Sequence, residues 1–296
     1  MSRAQLGAWA PRASLILTSV GIVLAIAFWL QLTIGPSLAV DVRAYWSADP
    51  NSLYPSGSDW RATGYLYSPA FELVAGWGRL LPFEVFTAIW RGALLAVLVY
   101  LAGPLTAPIL LLYPVLSEIN AGNIQLLMAL AIVAGFRWSG AWAFVLLTKL
   151  TPGLGLAWFI LRRRWRDLAI AIAVTGVIAA ATAVVWPDRW AGYLSLLGGH
   201  PAPAVPPWNL TFWQRLPVAV AFVLLGGWRG WRWPVVVAAT LALPVFYTIS
   251  PSMLVGTLPF VRVGVGRWLR GESVAAIASE TLPAQASRET GAILAV

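Results

Sequence analysis

The chain of 296 residues contains no cysteine, one lysine, one histidine and five aspartates. The absence of cysteine excludes disulfide bonds and thiolate metal sites, and it leaves the redox compartment open. Only 10% of the residues are charged, whereas 59% are hydrophobic and the mean hydropathy is +0.77. These values are too apolar for an ordinary soluble domain. They indicate an integral membrane protein.

The positive charges indicate membrane topology and no nucleic-acid partner. The net charge is +9, but the arginines fall in short clusters between apolar runs rather than on one polar face. Cytoplasmic loops of membrane proteins are enriched in such residues. Arg3 and Arg12 precede the apolar run at 14–33, which is long enough to cross a hydrocarbon core of about 30 Å. We therefore expect a cytoplasmic amino terminus in a multi-pass protein of the plasma membrane.

The remaining apolar segments predict an all-α, polytopic transmembrane bundle of about ten membrane helices, with both termini inside. An interfacial helix is expected at 69–80, where aromatic and aliphatic residues can lie at the headgroup level. Residues 1–270 are interpreted as one transmembrane domain, and the polar tail 271–296 as a disordered cytoplasmic end. The predicted membrane helices cover residues 14–33, 83–101, 105–119, 124–136, 139–149, 152–161, 167–185, 217–228, 234–249 and 253–260.

The segment 139–161 is predicted to be two short helices rather than one span. A single span would place the arginine cluster at 162–166 outside, against the positive-inside rule. Pro152 and Gly153 lie in its middle, and this pair breaks a helix. Lys149 would then stand at the apex and face an outer cavity, because broken helices within a membrane line polar cavities.

The polar stretch 35–73 interrupts the apolar chain directly after the first predicted span. It carries Asp41, Asp49 and Asp59. A carboxylate at the mouth of a membrane bundle is a functional-site candidate, because burying it is costly. Asp41 could instead cap a helix. Asp49 and Asp59 lie among residues typical of turns.

Further polar residues are expected at the same outer surface, although they come from distant parts of the sequence. A carboxylate, a cation and an imidazole that converge can supply an acid/base residue and charges that stabilise a leaving phosphate. The additional candidates are Glu118, Asn120, Asn123 and Gln125 in one turn, Lys149 at the helix break, and His200, Asn209 and Arg215 in a predicted outer loop at 186–216.

Several of these candidates also have a structural interpretation. Lys149 could extend its ammonium to water along an apolar stem. His200 could be an ordinary loop residue, and Glu118 could form a structural pair. Arg91 is expected to reach a partner or a carbonyl rather than substrate. Trp46 and Trp208 could stack on a sugar, as aromatic residues in the outer loops.

The order of short motifs in this chain resembles that of a known family. The motifs are Asp41-x-x-x-Tyr45, Tyr54, Tyr65-Leu66-Tyr67-Ser68-Pro69, Gly122-Asn123-Ile124-Gln125, Lys149-x-x-Pro152 with the basic cluster 162–166, Asn209-Leu210-Thr211 with Arg215, and Ser250-Pro251-Ser252. Together they resemble the polyprenol-phosphate-mannose-dependent alpha-(1-2) mannosyltransferases, glycosyltransferase family 87, which have the GT-C fold. In that family a proline stands at the position of Ser68 and a tryptophan, followed by a histidine, at that of Met253.

The resemblance implies transfer of mannose, or a related sugar, from a polyprenyl-phosphate carrier to a glycolipid or glycan acceptor outside the cytoplasmic membrane. It makes Asp41 the general base of an inverting reaction in the first outer loop, which is the polar stretch 35–73. Lys149 would stabilise the departing phosphate, with Arg215 and His200 as further candidates. A monophosphate leaving group gives little reason for a metal, so no metal or other cofactor is expected. The remaining substrate-binding candidates are Tyr45, Tyr67, Glu118, Asn123, Gln125 and Asn209.

Two alternatives remain open at this point. A non-enzymatic lipid-sugar flippase or transporter could use Lys149 and Arg215 to bind a phosphate headgroup. Such a protein should expose basic groups towards both faces, whereas these candidates gather on one, and it does not need a carboxylate at the outer mouth. An arabinofuranosyl or other pentosyl transferase of the same fold would use the same residues. Nothing in the sequence separates these sugars.

Overall fold

The structure, a computed structural model, describes residues 3–34, 39–54, 65–199 and 210–262. Over these residues it contains helices and no strand, which confirms the all-α prediction. A further helical segment, residues 258–262, lies at the carboxyl-terminal end of the described chain. In chain order the α-helices are α1 (Arg3–Ile34), α2 (Val40–Ser47), α3 (Glu72–Ala75), α4 (Phe83–Ala102), α5 (Thr106–Leu110), α6 (Tyr113–Ala121), α7 (Gln125–Gly135), α8 (Trp142–Thr148), α9 (Ala157–Leu161), α10 (Trp165–Val185), α11 (Pro187–Gly199), α12 (Phe212–Arg229) and α13 (Trp233–Leu241).

Three helical runs in the described residues are long and apolar enough to cross a membrane: Ala13–Ile34, Phe83–Leu110 and Trp165–Val185. A fourth candidate is the pair α6 and α7, which is bent by 104°. Only 11% of the apolar window is buried in the first and third of these runs. Apolar helices that remain this exposed face lipid, so the chain is a membrane protein.

Ten membrane helices are not found in the described part of the chain. The predicted third span, 105–119, is two helices, because α5 ends at Leu110 and α6 begins at Tyr113 with Pro114 in its first turn. Proline has no backbone N–H and therefore starts a helix more readily than it continues one. In the predicted span 234–249, α13 ends at Leu241.

The predicted outer loop 186–216 is also more helical than expected. It contains the whole of α11, and α12 begins within it at Phe212. Thr211 caps α12, because its hydroxyl accepts a hydrogen bond from Gln214 N and the Gln214 side chain accepts one from Thr211 N. This reciprocal capping box satisfies donors that a helix start otherwise leaves free.

Other local predictions are confirmed. Residues 69–80 are helical throughout, as the 3-10 turn Pro69–Phe71, α3 and the 3-10 turn Gly76–Leu80. The helix break is also present, because α8 ends at Thr148 and Lys149 has extended backbone angles. A 3-10 segment, Thr151–Leu156, then leads into α9.

Arg91 joins three parts of the bundle. It lies on α4, is 1% exposed, and donates from Nη1 to Leu32 O at 3.1 Å. Its Nε donates to Ile119 O at 3.2 Å, and its Nη2 donates to Asn120 O. The guanidinium therefore links the ends of α1 and α6 to α4, as expected for an arginine that reaches carbonyls rather than substrate.

A sharp turn separates α6 from α7 and requires a glycine. Gly122 has φ 76°, a left-handed conformation that residues with a Cβ rarely adopt. Its carbonyl accepts a hydrogen bond from Trp90 Nε1 at 2.8 Å. A methyl group at Gly122 would overlap the side chain of Val42 on α2. The absence of a side chain thus lets α2 pack directly on this turn.

Replacement of Arg91 by methionine should lower the thermal stability of the protein in detergent. The substitution removes the donors of three backbone carbonyls, and a buried acceptor left unsatisfied costs about 1–3 kcal/mol. Thermal unfolding followed by intrinsic fluorescence measures the effect. Arg137→Met is the matched control, because the Arg137 side chain is exposed and, among the described residues, contacts only the ring of Trp138. Equal melting temperatures for the two variants would contradict the role of Arg91.

Gly122→Ala should also lower the melting temperature, because it combines an unfavourable backbone conformation with the overlap on Val42. The cost of a strained backbone residue is on the order of 1–3 kcal/mol. Gly176→Ala is the control, since Gly176 lies inside α10 with nothing within 4 Å of an added Cβ. Alanine is favoured over glycine there by roughly 0.5–1 kcal/mol. A Gly122→Ala protein as stable as Gly176→Ala would show that the turn does not need glycine.

Candidate active site

Asp41 lies in the first turn of α2 and is half-buried. A carboxylate is favoured there, because the first N–H groups of a helix are unpaired and carry a partial positive charge. Asn123, from the turn between α6 and α7, donates from Nδ2 to Asp41 Oδ2 at 3.0 Å. The structure thus brings together two sequence-predicted candidates that are 82 residues apart.

Aromatic packing holds α2 in place. The ring of Tyr45, which is fully buried, packs against Phe71 and Trp90 with centroid distances of 5.2 and 5.4 Å. Trp46 Nε1 donates to Leu81 O at 2.9 Å. These contacts tie α2 to the helical segment 69–80 and to α4. Trp46 therefore anchors α2 and does not line the cavity.

Asp41 faces a cavity of about 1080 Å³ that is shared by Asn123, Lys149 and Tyr67. The walls come from the first loop, the α6–α7 turn, the break after α8, and the helices α10 and α11, together with the stretch after α13. The full lining is Val40, Asp41, Leu66, Tyr67, Ser68, Ala121, Asn123, Leu146, Leu147, Thr148, Lys149, Leu150, Thr151, Thr175, Trp190, Tyr193, Leu194, Leu197, Pro244, Val245, Tyr247, Thr248 and Ile249.

Lys149 is the only lysine of the chain, and the helix break places it at this cavity. Its ammonium makes no hydrogen bond or ion pair with any of the residues that the structure describes; there, the ion pairs are Arg79–Glu72 and Arg164–Asp167. A cation without a partner inside a membrane bundle is costly unless it serves a ligand. Lys149 is therefore available to bind an anion.

Burial raises the pKa of Asp41 above its ordinary value, while the hydrogen bond from Asn123 and the charge of Lys149 act in the opposite direction. A carboxylate with a raised pKa is a stronger base than an exposed one, and general bases work best when their pKa approaches the working pH. The site can therefore accept a proton next to a bound anion.

Two tyrosines lie beside the carboxylate. Burial raises the pKa of Tyr45 and of Tyr67, so both hydroxyls stay protonated at neutral pH. Their hydroxyl oxygens are 3.2 Å apart. Tyr67 lines the cavity, whereas Tyr45 lies behind it. Tyr67 can therefore offer a hydroxyl to a ligand, and Tyr45 supports it.

Glu118 and Gln125 lie behind the cavity wall, and both are fully buried. Glu118 Oε1 accepts a hydrogen bond from Leu126 N at 3.2 Å. Its Oε2 and both amide atoms of Gln125 have no partner in the described part of the chain. Glu118 is close enough to Lys149 and Asp41 for their charges to interact. Glu118 and Gln125 thus adjoin the cluster of Asp41, Asn123 and Lys149, but they do not line the cavity.

Arg215 is not brought to this cluster. It is 4% exposed, and its guanidinium donates to Leu210 O at 3.0 Å, to Leu243 O at 2.9 Å and to Leu241 O. These bonds hold the turn after α13, which continues into the cavity wall at 244–249. Arg215 thus shapes the site through the backbone. His200, Asn209, Trp208 and Asp59 lie outside the described residues.

The contribution of α11 to the cavity is not predicted from the sequence. Trp190 and Tyr193 line the cavity from a segment that was predicted to be a loop. A helix start was nevertheless readable there, because Pro187 stands at the first helical position and Asp188 follows it.

The described residues contain no group of three or more His, Cys, Asp or Glu side chains that could hold a metal ion. The expected independence from metals stays a prediction.

Comparison with known proteins identifies the family. The family model described as glycosyltransferase family 87 matches residues 65–282, which is more than half of the chain. The matched region includes Tyr67, Asn123 and Lys149, and it begins after Asp41. Searches of curated proteins and of solved structures found no match. This chain therefore belongs to glycosyltransferase family 87 and, with its apolar helices exposed to lipid, is a membrane glycosyltransferase.

Proposed function

We propose that this protein transfers mannose from a polyprenyl-phosphate carrier to a hydroxyl group of a glycolipid or glycan outside the cytoplasmic membrane. The observation that carries the proposal is a half-buried carboxylate, Asp41, that shares one cavity with Lys149, whose ammonium makes no hydrogen bond or ion pair with the described residues. A glycosyl transfer to a hydroxyl needs a base for the acceptor proton and a positive charge for the leaving phosphate.

The surroundings of Lys149 support a lipid-linked donor. A second pocket of about 260 Å³ shares Leu147 and Thr148 with the cavity and extends between α8, α10 and the segment 69–80. Apart from Thr148 its lining consists of glycine and apolar residues: Ala70, Phe71, Leu73, Val74, Gly140, Ala141, Ala143, Phe144, Leu147 and Ile178. An isoprenoid chain fits such a surface. The sequence offers no Gly-rich phosphate loop of the kind that binds a nucleotide sugar.

In the proposed mechanism Asp41 takes the proton of the acceptor hydroxyl as that oxygen attacks the anomeric carbon. The bond between the anomeric carbon and the phosphate oxygen breaks, and its electron pair stays on the phosphate. Lys149 neutralises the charge that develops there. Attack opposite to the leaving group converts a β-linked donor into an α-linked product. Asn123 orients the carboxylate through its 3.0 Å hydrogen bond.

The distribution of arginine supports the proposed location of the site at the outer face. The cluster 162–166 follows α9 directly and marks the cytoplasmic side. Lys149 precedes it by one short helix and stands at the opposite end of that helix. The cavity then opens where cytoplasmic nucleotide sugars do not reach.

Asp41→Asn should reduce the rate of mannosyl transfer about 10²–10⁴-fold, because it removes the basicity of the side chain and keeps its shape. The assay uses purified protein in detergent, polyprenyl-phosphate-mannose as donor and a membrane glycolipid extract as acceptor. Donor binding should be retained. Asp49→Asn is the matched control, since Asp49 is exposed and accepts a hydrogen bond from Asn51 N in a local turn.

An Asp41→Asn enzyme that turns over as fast as the parent would refute the assignment of the base. If only a nucleotide sugar supports transfer by the unsubstituted protein, the proposed donor is wrong.

Lys149→Met should weaken the binding of polyprenyl-phosphate-mannose by about one to two orders of magnitude, because a hydrogen bond to a charged group contributes about 1.5–3 kcal/mol. Lys149→Arg keeps the positive charge and should retain most of the donor affinity. Binding is measured by titration of the protein in lipid nanodiscs, with the melting temperature as the test of folding. Unchanged affinity in a folded Lys149→Met protein would place the phosphate elsewhere.

A further inference from the structure

One face of α11 forms a wall of the cavity. Trp190, Tyr193, Leu194 and Leu197 all line it. Their spacing of i, i+3, i+4 and i+7 places them on a single side of the helix. The aromatic pair comes first along the helix, and the two leucines follow. The wall is therefore aromatic at one end and aliphatic at the other.

The aromatic end of this wall is fixed to the loop that carries the candidate base. Trp190 Nε1 donates to Thr182 Oγ1 at 3.2 Å, and the Trp190 and Tyr193 rings meet edge to face at 5.9 Å. The Tyr193 ring contacts that of Tyr54 at 5.7 Å, and the Tyr54 hydroxyl donates to the carbonyl of Tyr67. The Tyr65 ring lies 6.0 Å from the rings of both Tyr54 and Tyr67, so a continuous set of rings runs from α11 to Tyr67, which lines the cavity with Asp41.

The chemistry of the aromatic end suits a sugar. Tryptophan and tyrosine combine an apolar ring with a polar tip, and a hexose combines apolar C–H faces with hydroxyl groups. The Tyr193 hydroxyl has no hydrogen-bond partner among the residues described, so it can serve a sugar hydroxyl. The aliphatic end suits a lipid, because Leu194 and Leu197 are 62% and 61% exposed.

The cavity is large for a single ligand. Its volume of about 1080 Å³ reaches the upper end of the roughly 300–1,000 Å³ found for sites that enclose one drug-sized molecule. Lys149, which has no ion-pair partner in the described part of the chain, and the adjoining apolar pocket both belong to the part of the cavity formed by α8. None of the cavity-lining residues of α11 carries a charge, so this wall cannot neutralise a phosphate.

We propose that α11 holds the acceptor, with Trp190 and Tyr193 against its terminal sugar and Leu194 and Leu197 against its lipid. The acceptor is then a glycolipid rather than a free glycan. This inference rests on the proposed function insofar as the sugar so held presents its hydroxyl to Asp41. Trp190 and Tyr193 determine acceptor specificity, and the donor binds on the Lys149 side of the cavity.

Direct binding of two mannosides tests the proposal without a donor. The protein in lipid nanodiscs is titrated with methyl α-mannoside and with octyl α-mannoside, and octyl tri(ethylene glycol) serves as the sugar-free probe. Trp190→Ala should weaken the binding of both mannosides about tenfold or more, as is typical when a buried aromatic contact is removed. Leu194→Ser should weaken only the binding of octyl α-mannoside.

Matched variants separate contact from folding. Trp190→Phe keeps a ring at this position and should restore most of the affinity. Trp213→Ala removes a tryptophan of α12 that is 75% exposed and does not line the cavity, so it should bind both mannosides normally. Tyr193→Phe should lose the hydroxyl contact alone, with a smaller effect than Trp190→Ala. Melting temperatures confirm that each variant is folded.

Kinetics then assigns the wall to the acceptor. With polyprenyl-phosphate-mannose as donor, Trp190→Ala should raise the KM for the glycolipid acceptor about tenfold and leave the KM for the donor unchanged. Unchanged mannoside binding in folded Trp190→Ala, or weakened donor binding, would overturn the proposal. Failure of the proposed function has a different signature, because the unsubstituted protein would then bind the mannosides without transferring mannose.

Discussion

The hydrogen bond between Asn123 and Asp41 is the contact on which the arrangement of the site depends. It joins the first loop to the turn between α6 and α7, and it sets a carboxylate against a bundle of apolar helices. Such a group is costly to bury unless it is bonded and has a use. Gly122 makes the contact possible, because a side chain at this position would hold α2 away from the turn.

The rest of the bundle keeps this contact rigid from both sides. Arg91 ties the ends of α1 and α6 to α4. The loop after α1 and the turn between α6 and α7 are therefore attached to the same helix. On the other side Tyr45 packs among Phe71 and Trp90, which connects α2 to the segment that follows the first loop. A base must stand within hydrogen-bond reach of its proton, and rigid support of this kind maintains that geometry.

Charge around the cavity is distributed unevenly. Lys149 supplies positive charge where the helix breaks, while Glu118 lies fully buried behind the wall with one oxygen unpaired in the described part of the chain. Gln125 beside it has no partner for either amide atom there. Unsatisfied polar groups cost stability, and proteins retain them mainly at functional sites. Glu118 and Gln125 therefore lie in the same region of the molecule as the catalytic candidates.

The sequence by itself determined the membrane character, the helical class, several helix limits and the break at Lys149, and it offered Asp41 and Asn123 as candidate site residues. These follow from apolar run length, from the conformational limits of proline and glycine, and from the rarity of charge in an apolar chain. Only the tertiary structure decided that Arg215 bonds three carbonyls, that α11 replaces a predicted loop, and that Trp190 and Tyr193 line the cavity with Asp41. Such facts depend on which distant segments pack together. Local sequence patterns do not specify which residue a side chain contacts across the bundle.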